Sequence, residues 1–225
     1  DYTKYYLPTR VAKYTRQFVY LKPPTNTESD YIVIFDRTKT ARPDIIKRWE
    51  INSAYDQQVN GTETLVKEGN WEYANADQIV ISNNIGIDPY SNVNYEGHGR
   101  LFVKSLLPEQ KKIVKIGGPG HEFELDDGTA HGYVDESADY AYLGDPLAGA
   151  YYTGTYRTDV VATASNTDDN FLHVLQTADT NNPAQSTVMV PTSRIDGDTM
   201  VGAYIQDDKQ GHKVVMFSNT EANQA

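Results

Sequence analysis

The chain contains no cysteine, which rules out disulfides, a thiol nucleophile and any cysteine-ligated metal. Its redox compartment stays open, because large exported bacterial proteins commonly lack cysteine too. It has no run of lysine or arginine, and 31 acidic against 20 basic residues leave a net charge of -11. Phosphate neutralisation therefore cannot drive binding, so nucleic acid is excluded as a partner. The same charge repels a polyanionic polysaccharide unless a local basic groove overrides it. No apolar stretch approaches the roughly 18 residues of a membrane span, and no segment has the layout of a signal peptide. The chain starts at Asp1 rather than Met, as expected of a processed product or an excised piece. Helical periodicity is missing as well, since no ten residues keep a clean 3.6 spacing, and no repeat of fixed period occurs.

What is present is tyrosine, 17 residues against 6 phenylalanines and 2 tryptophans. Tyrosine suits half-buried strand positions, where the ring packs and the hydroxyl reaches water. Sugar-binding surfaces use it too, although sheet packing accounts for most such residues. The runs around 17–22, 31–36 and 46–52 read as strands, the first two separated by Pro23-Pro24-Thr25-Asn26-Thr27, which neither a helix nor a central strand tolerates. Tyr31 to Phe35 is nearly all apolar, as in a strand buried on both sides. Further strands are expected at 71–73, 78–82, 99–107, 112–116, 122–125, 151–164, 171–176, 186–190, 200–206 and 213–218. Polar stretches at 54–69, 83–96 and 129–150 read as turns and loops, with Asn60-Gly61 as a turn signal. A dozen short strands with turn signals between them predict an all-β fold, a large antiparallel β-sandwich of two stacked sheets. Residues 1–13 read as an entry segment and 14–225 as the sandwich region.

Three blocks carry a resemblance. Thr15-Arg16-Gln17-Phe18-Val19-Tyr20-Leu21-Lys22-Pro23, followed by Tyr31-Ile32-Val33-Ile34-Phe35-Asp36-Arg37, resembles the "TR-FVFLKP…YFVVFDRV" block of the heparinase II/III-like family. Gly99 to Pro108 with Ile116-Gly117-Gly118-Pro119-Gly120-His121-Glu122-Phe123 is similar to that family's "GRL-VKTLLP…KIGGPGHEF" segment. Phe171-Leu172-His173-Val174-Leu175, with Met200-Val201-Gly202-Ala203 after it, is similar to its "FLHVL…GA" stretch. The blocks fall in order over about 14 to 218. The resemblance implies a supersandwich-like β region of a secreted or periplasmic bacterial polysaccharide lyase. In such a lyase an upstream α/α-toroid of the same protein is the partner, and uronate-containing polysaccharide is cleaved by β-elimination. That chemistry neutralises the uronate carboxylate, removes the C5 proton with a Tyr or His base and protonates the departing oxygen. The family's catalytic His and Tyr lie in the toroid and early in the β region, in segments expected before Tyr14. No catalytic residue carries over, and the region reads as cut at both ends. The chain itself calls for no cofactor; zinc or calcium would belong to the full-length protein.

Candidate binding residues follow from chemistry. Arg16, Arg37, Arg48 and Arg100 can grip a uronate carboxylate through a planar fork; a strand-end salt bridge is the more frequent use of such residues. Tyr90 and Tyr95, in the loop 83–96, are candidates for an aromatic sugar platform, with His98 at a loop tip beside them. His121, Asp126 and His131 form the one cluster with metal-ligand character, but their spacing matches no zinc motif and a turn surface explains them better. His173 reads as a strand residue and His212 as a turn residue. Gly117-Gly118-Pro119-Gly120 precedes a strand, not a helix N-terminus, so it reads as a sheet corner and not a phosphate cradle. Two other readings stay open: a stand-alone carbohydrate-binding or interaction module, and a free-standing enzyme using His121 and Glu122.

Overall fold

A computed structural model describes residues 10–25, 27–53, 55–83, 86–88, 93–95, 97–118, 121, 156–183, 185 and 187–219, with backbone alone at 86–88 and 93–95. Every regular element among them is a strand. The first seven are β1 (Val11–Leu21), β2 (Tyr31–Thr40), β3 (Arg48–Ser53), β4 (Gln57–Val59), β5 (Thr62–Lys67), β6 (Asn70–Ala74) and β7 (Gln78–Ser82). Then come β8 (Gly86–Asp88), β9 (Val93–Tyr95), β10 (Gly99–Leu107), β11 (Lys111–Gly117) and β12 (Tyr156–Ala162). The last are β13 (Asp168–Asp179), β14 (Thr192–Asp196), β15 (Met200–Ile205) and β16 (Lys213–Ser218). The fold is all-β with antiparallel pairing, as expected. Among the described residues no helix is long and apolar enough to cross a membrane.

The chain divides into two compact units. The first comprises Asp1–Lys47, Leu101–Lys111 and Ala162–Ala225, the second Arg48–Arg100 and Lys112–Val161.

In the first unit β2 is flanked by β1 and β13, both antiparallel to it. Strand alternation then decides the core. Tyr31, Val33 and Phe35 of β2 point to one face, with Leu172 and Val174 of β13 beside them, each 0 % exposed. The antiparallel ribbon β14–β15–β16 supplies Val201, Ala203, Ile205, Val215 and Phe217 to the same cluster. Phe35 stacks on Phe217 at 5.1 Å between ring centroids. Ile32 and Ile34 are only partly buried, so the stretch Tyr31–Phe35 is fully buried on one face and not on both. The outward face of β1 is exposed: Tyr14 is 52 %, Phe18 68 % and Tyr20 50 % accessible.

The second unit is built on a sheet in the order β3-β12-β11-β6-β5. Trp49, Val160, Ile113 and Tyr73 are its buried apolar residues in register pairs Val160–Trp49 and Ile113–Tyr73. Lys115 is held at the end of this row by Asp56, at 2.9 Å, with its ammonium 4.8 Å from the Trp71 ring centroid.

Three expectations change. The stretch 54–69 contains β4 and β5, and β5 is exposed along its whole length; its polar sequence hides the strand because neither face is buried. The loop 83–96 holds a short hairpin of β8 and β9. The strand expected at 186–190 lies later, at Thr192–Asp196, where a polar ribbon edge needs little apolar content. The strand expected at 122–125 lies outside the described residues.

Candidate functional site

The candidate residues go to different places. Arg16 of β1 stands opposite Asp36 of β2. It donates from Nε to Oδ1 and from Nη2 to Oδ2, both at 2.7 Å, while Asp36 is 2 % exposed. The fork is closed on a structural partner. Arg48 donates to Asp159 at 2.9 Å, and Arg157 lies 3.3 Å from the same carboxylate. Burial pushes the Asp159 carboxyl up, against the pull of the two guanidiniums. Arg100 donates to the Ser82 hydroxyl at 3.1 Å. His98 is half-buried just ahead of β10.

His121 rests on Gly69, whose φ is +73°; a Cβ there would lie 2.3 Å from the imidazole, so only glycine fits. Its Nε2 is 4.0 Å from Glu68. Among the described residues no three His, Cys, Asp or Glu groups converge on a metal position. Asp126, His131 and Tyr90 lie outside the described residues, as does the side chain of Tyr95.

Arg37 is the candidate that the fold places among other cations. On β2, Arg37 and Lys39 share one face, and the register sets Thr15 opposite Arg37 and Lys13 opposite Lys39. On the other side, β13 sets Asn170 opposite Arg37 and Asp168 opposite Lys39. Lys13, Arg37, Lys39, Asp168 and Asn170, with Thr38 and Asn219, line a cavity of about 150 Å³. Arg37 donates to the Thr15 hydroxyl at 3.3 Å and to the Ser218 carbonyl at 3.4 Å, contacts that aim the guanidinium. Asp168 lies 3.5 Å from Lys39, so the described lining residues include three cations and one carboxylate. Two lysines directly opposite each other repel. Such a pair on a chain of net charge -11 makes a local positive field within an acidic surround.

Lys13, Lys39, Asn170 and Asn219 were not among the residues singled out from the sequence. The signal for Lys39 is its spacing of two from Arg37, which puts both on one strand face. Lys13 carries no such signal, because the residues before Tyr14 do not read as strand and its place depends on pairing with β2.

Behind the other face of β13, His173 is wholly buried. Burial, helped by Lys111 and Arg16, pulls its imidazole down to about 3. The unfolded chain takes up that proton near pH 6.5 and the folded chain does not, so stability falls as pH drops below 6.5. Comparing urea unfolding at pH 6 and pH 5, His173→Gln should lose roughly 1 kcal/mol less than the parent. Equal losses would show that His173 protonates in the native state.

The chain matches no family model and no curated protein.

Proposed function

We propose that this chain is the β-sandwich portion of a heparinase II/III-like polysaccharide lyase, secreted or periplasmic, which frames an acidic polysaccharide and supplies no acid–base catalyst itself. On this reading its sheets stack as the two layers of a supersandwich, and an upstream toroid performs β-elimination. The three sequence blocks support the family. The observation that carries substrate contact is the convergence of Lys13, Arg37 and Lys39 on one cavity. A guanidinium and two ammoniums suit a uronate carboxylate, and Asn170 and Asn219 suit sugar hydroxyls.

Isothermal titration with an oligouronate tests this. Lys13→Ala/Lys39→Ala should weaken binding about tenfold, since each exposed charge contributes up to about 1 kcal/mol. Affinity should fall further as salt is raised. Unchanged affinity in the double variant would remove the site.

The exposed row Tyr14, Phe18 and Tyr20 on β1 favours a second reading, a stand-alone carbohydrate-binding module that uses an aromatic platform. A parent reading frame with a long helical segment upstream supports the lyase. One that encodes no such segment supports the module.

A further inference from the structure

β1 stands at the edge of its sheet, paired with β2 on one side. Among the described residues no strand pairs with its other side. Such an edge presents backbone N–H and C=O groups that a further strand can complete, and proteins commonly blunt it with proline, a bulge, a charge or short length. β1 is eleven residues long. Its register shift lies at the start, between Val11 and Lys13, and Pro23 follows its end, so the ladder from Lys13 to Leu21 is unbroken. Arg16, the cation inside that ladder, is neutralised by Asp36 through two bonds of 2.7 Å. The edge strand β5, by contrast, is interrupted by a register shift between Leu65 and Lys67.

A second copy of β1 fits this edge on two grounds. The first is charge. The chain has 31 acidic residues but Val11–Leu21 contains none, so two copies of an acidic protein can meet here with little repulsion. The second is self-complementarity. The midpoint of the unbroken ladder is Gln17, and a two-fold axis there aligns the ladder antiparallel with its own copy over its full length. That register sets Tyr14 opposite the copy's Tyr20 and Arg16 opposite the copy's Phe18, each twice. Tyr14, Phe18 and Tyr20 are 52, 68 and 50 % accessible on one face. Aromatic pairs, and a guanidinium beside a ring, are favourable across strands. No cation opposes a cation in this register, whereas a two-fold axis at Arg16 would bring two guanidiniums together.

We infer that β1 is the seam of a homodimer, in which two copies pair antiparallel about Gln17 and continue the sheet across the two-fold axis. A single ladder is small for an interface, so the dimer is reversible and populated at micromolar concentrations.

Sedimentation velocity of the intact chain between about 1 and 100 µM should show monomer passing into dimer. Phe18→Lys sets a cation opposite Arg16 twice, and Phe18→Glu sets a carboxylate there. The lysine variant should therefore associate about tenfold more weakly than the glutamate variant. Both lose the exposed ring, so the difference between them reads the register. Gln17→Cys reads it directly. The chain has no other cysteine, and opposite residues lie about 4.5–5.5 Å apart at Cα, within reach of a disulfide. Mild oxidation should cross-link Gln17→Cys and leave Thr15→Cys, which stands opposite the copy's Val19, as monomer on a denaturing gel. Three results would overturn the proposal: a monomer at every concentration, which leaves the aromatic row to a sugar; equal association of the two Phe18 variants; or equal cross-linking of the two cysteine variants.

Discussion

Replacing Asp169 with alanine is expected to lower the unfolding free energy by about 3–5 kcal/mol, the loss seen when one partner of a buried ion pair is removed. Asp169 and Lys47 meet at 3.0 Å, their side chains 6 % and 3 % exposed. The ammonium also donates to the carbonyls of Asn166, at 2.5 Å, and Ile45, at 3.3 Å. Those carbonyls satisfy two of its three N–H groups but carry no net charge, so without Asp169 a buried cation stands uncompensated. The cost belongs to the broken pair and not to the pair's net worth. Lys47→Met/Asp169→Leu should accordingly recover most of the loss. Urea unfolding of both variants decides the matter. A loss below about 1 kcal/mol for Asp169→Ala would mean that Lys47 swings out to water.

Phe35→Ala should cost a similar amount, about 3–5 kcal/mol, because a large ring leaves the core and a cavity remains. Phe35 is 0 % exposed and stacks on Phe217, so it ties β2 to the β14–β16 ribbon. Arg37 follows two residues later on the same strand face, and it reaches the Ser218 carbonyl next to Phe217. Loosening this contact should therefore weaken oligouronate binding as well as the fold. Phe18→Ala is the matched control. Phe18 is 68 % exposed, and its removal should change stability by less than about 0.5 kcal/mol. Equal costs for the two variants, read from urea midpoints at constant slope, would show that the ring stack carries little of the stability.

The buried strands were legible in the sequence for a physical reason. Tyr31 to Phe35 is fully buried on one face and Phe171 to Leu175 on both, so their apolar content is dense and unmistakable. Among the strands that polar sequence hides, β5 and β14 lie where solvent meets the chain, and polar residues there satisfy the same backbone ladder; β4, β8 and β9 have three residues each, too few for a period to show. Among the candidate residues, the sequence identifies charge but not partner. Arg16, Arg37 and Arg48 look alike on the page. What separates them is that Asp36 stands across from Arg16 and Asp159 lies diagonal to Arg48 and accepts from it, whereas Arg37 has Thr15 and Asn170 across from it. Lys39 joins Arg37 by its spacing of two on one strand, whereas Lys13 joins them only through pairing across 26 residues of sequence, which no local pattern encodes. The bond from the Tyr31 hydroxyl to Asp207 is less legible still, since the two meet through tertiary packing alone.

On the proposed function, the chain grips an acidic sugar through Lys13, Arg37 and Lys39 and does not cleave it. One titration addresses both halves, with an oligouronate added to the intact chain while heat and the absorbance of unsaturated uronate are recorded together. The account predicts saturable binding that Arg37→Gln weakens, with no rise in absorbance. Robust elimination by this chain, or heat that is unchanged in Arg37→Gln, would contradict it.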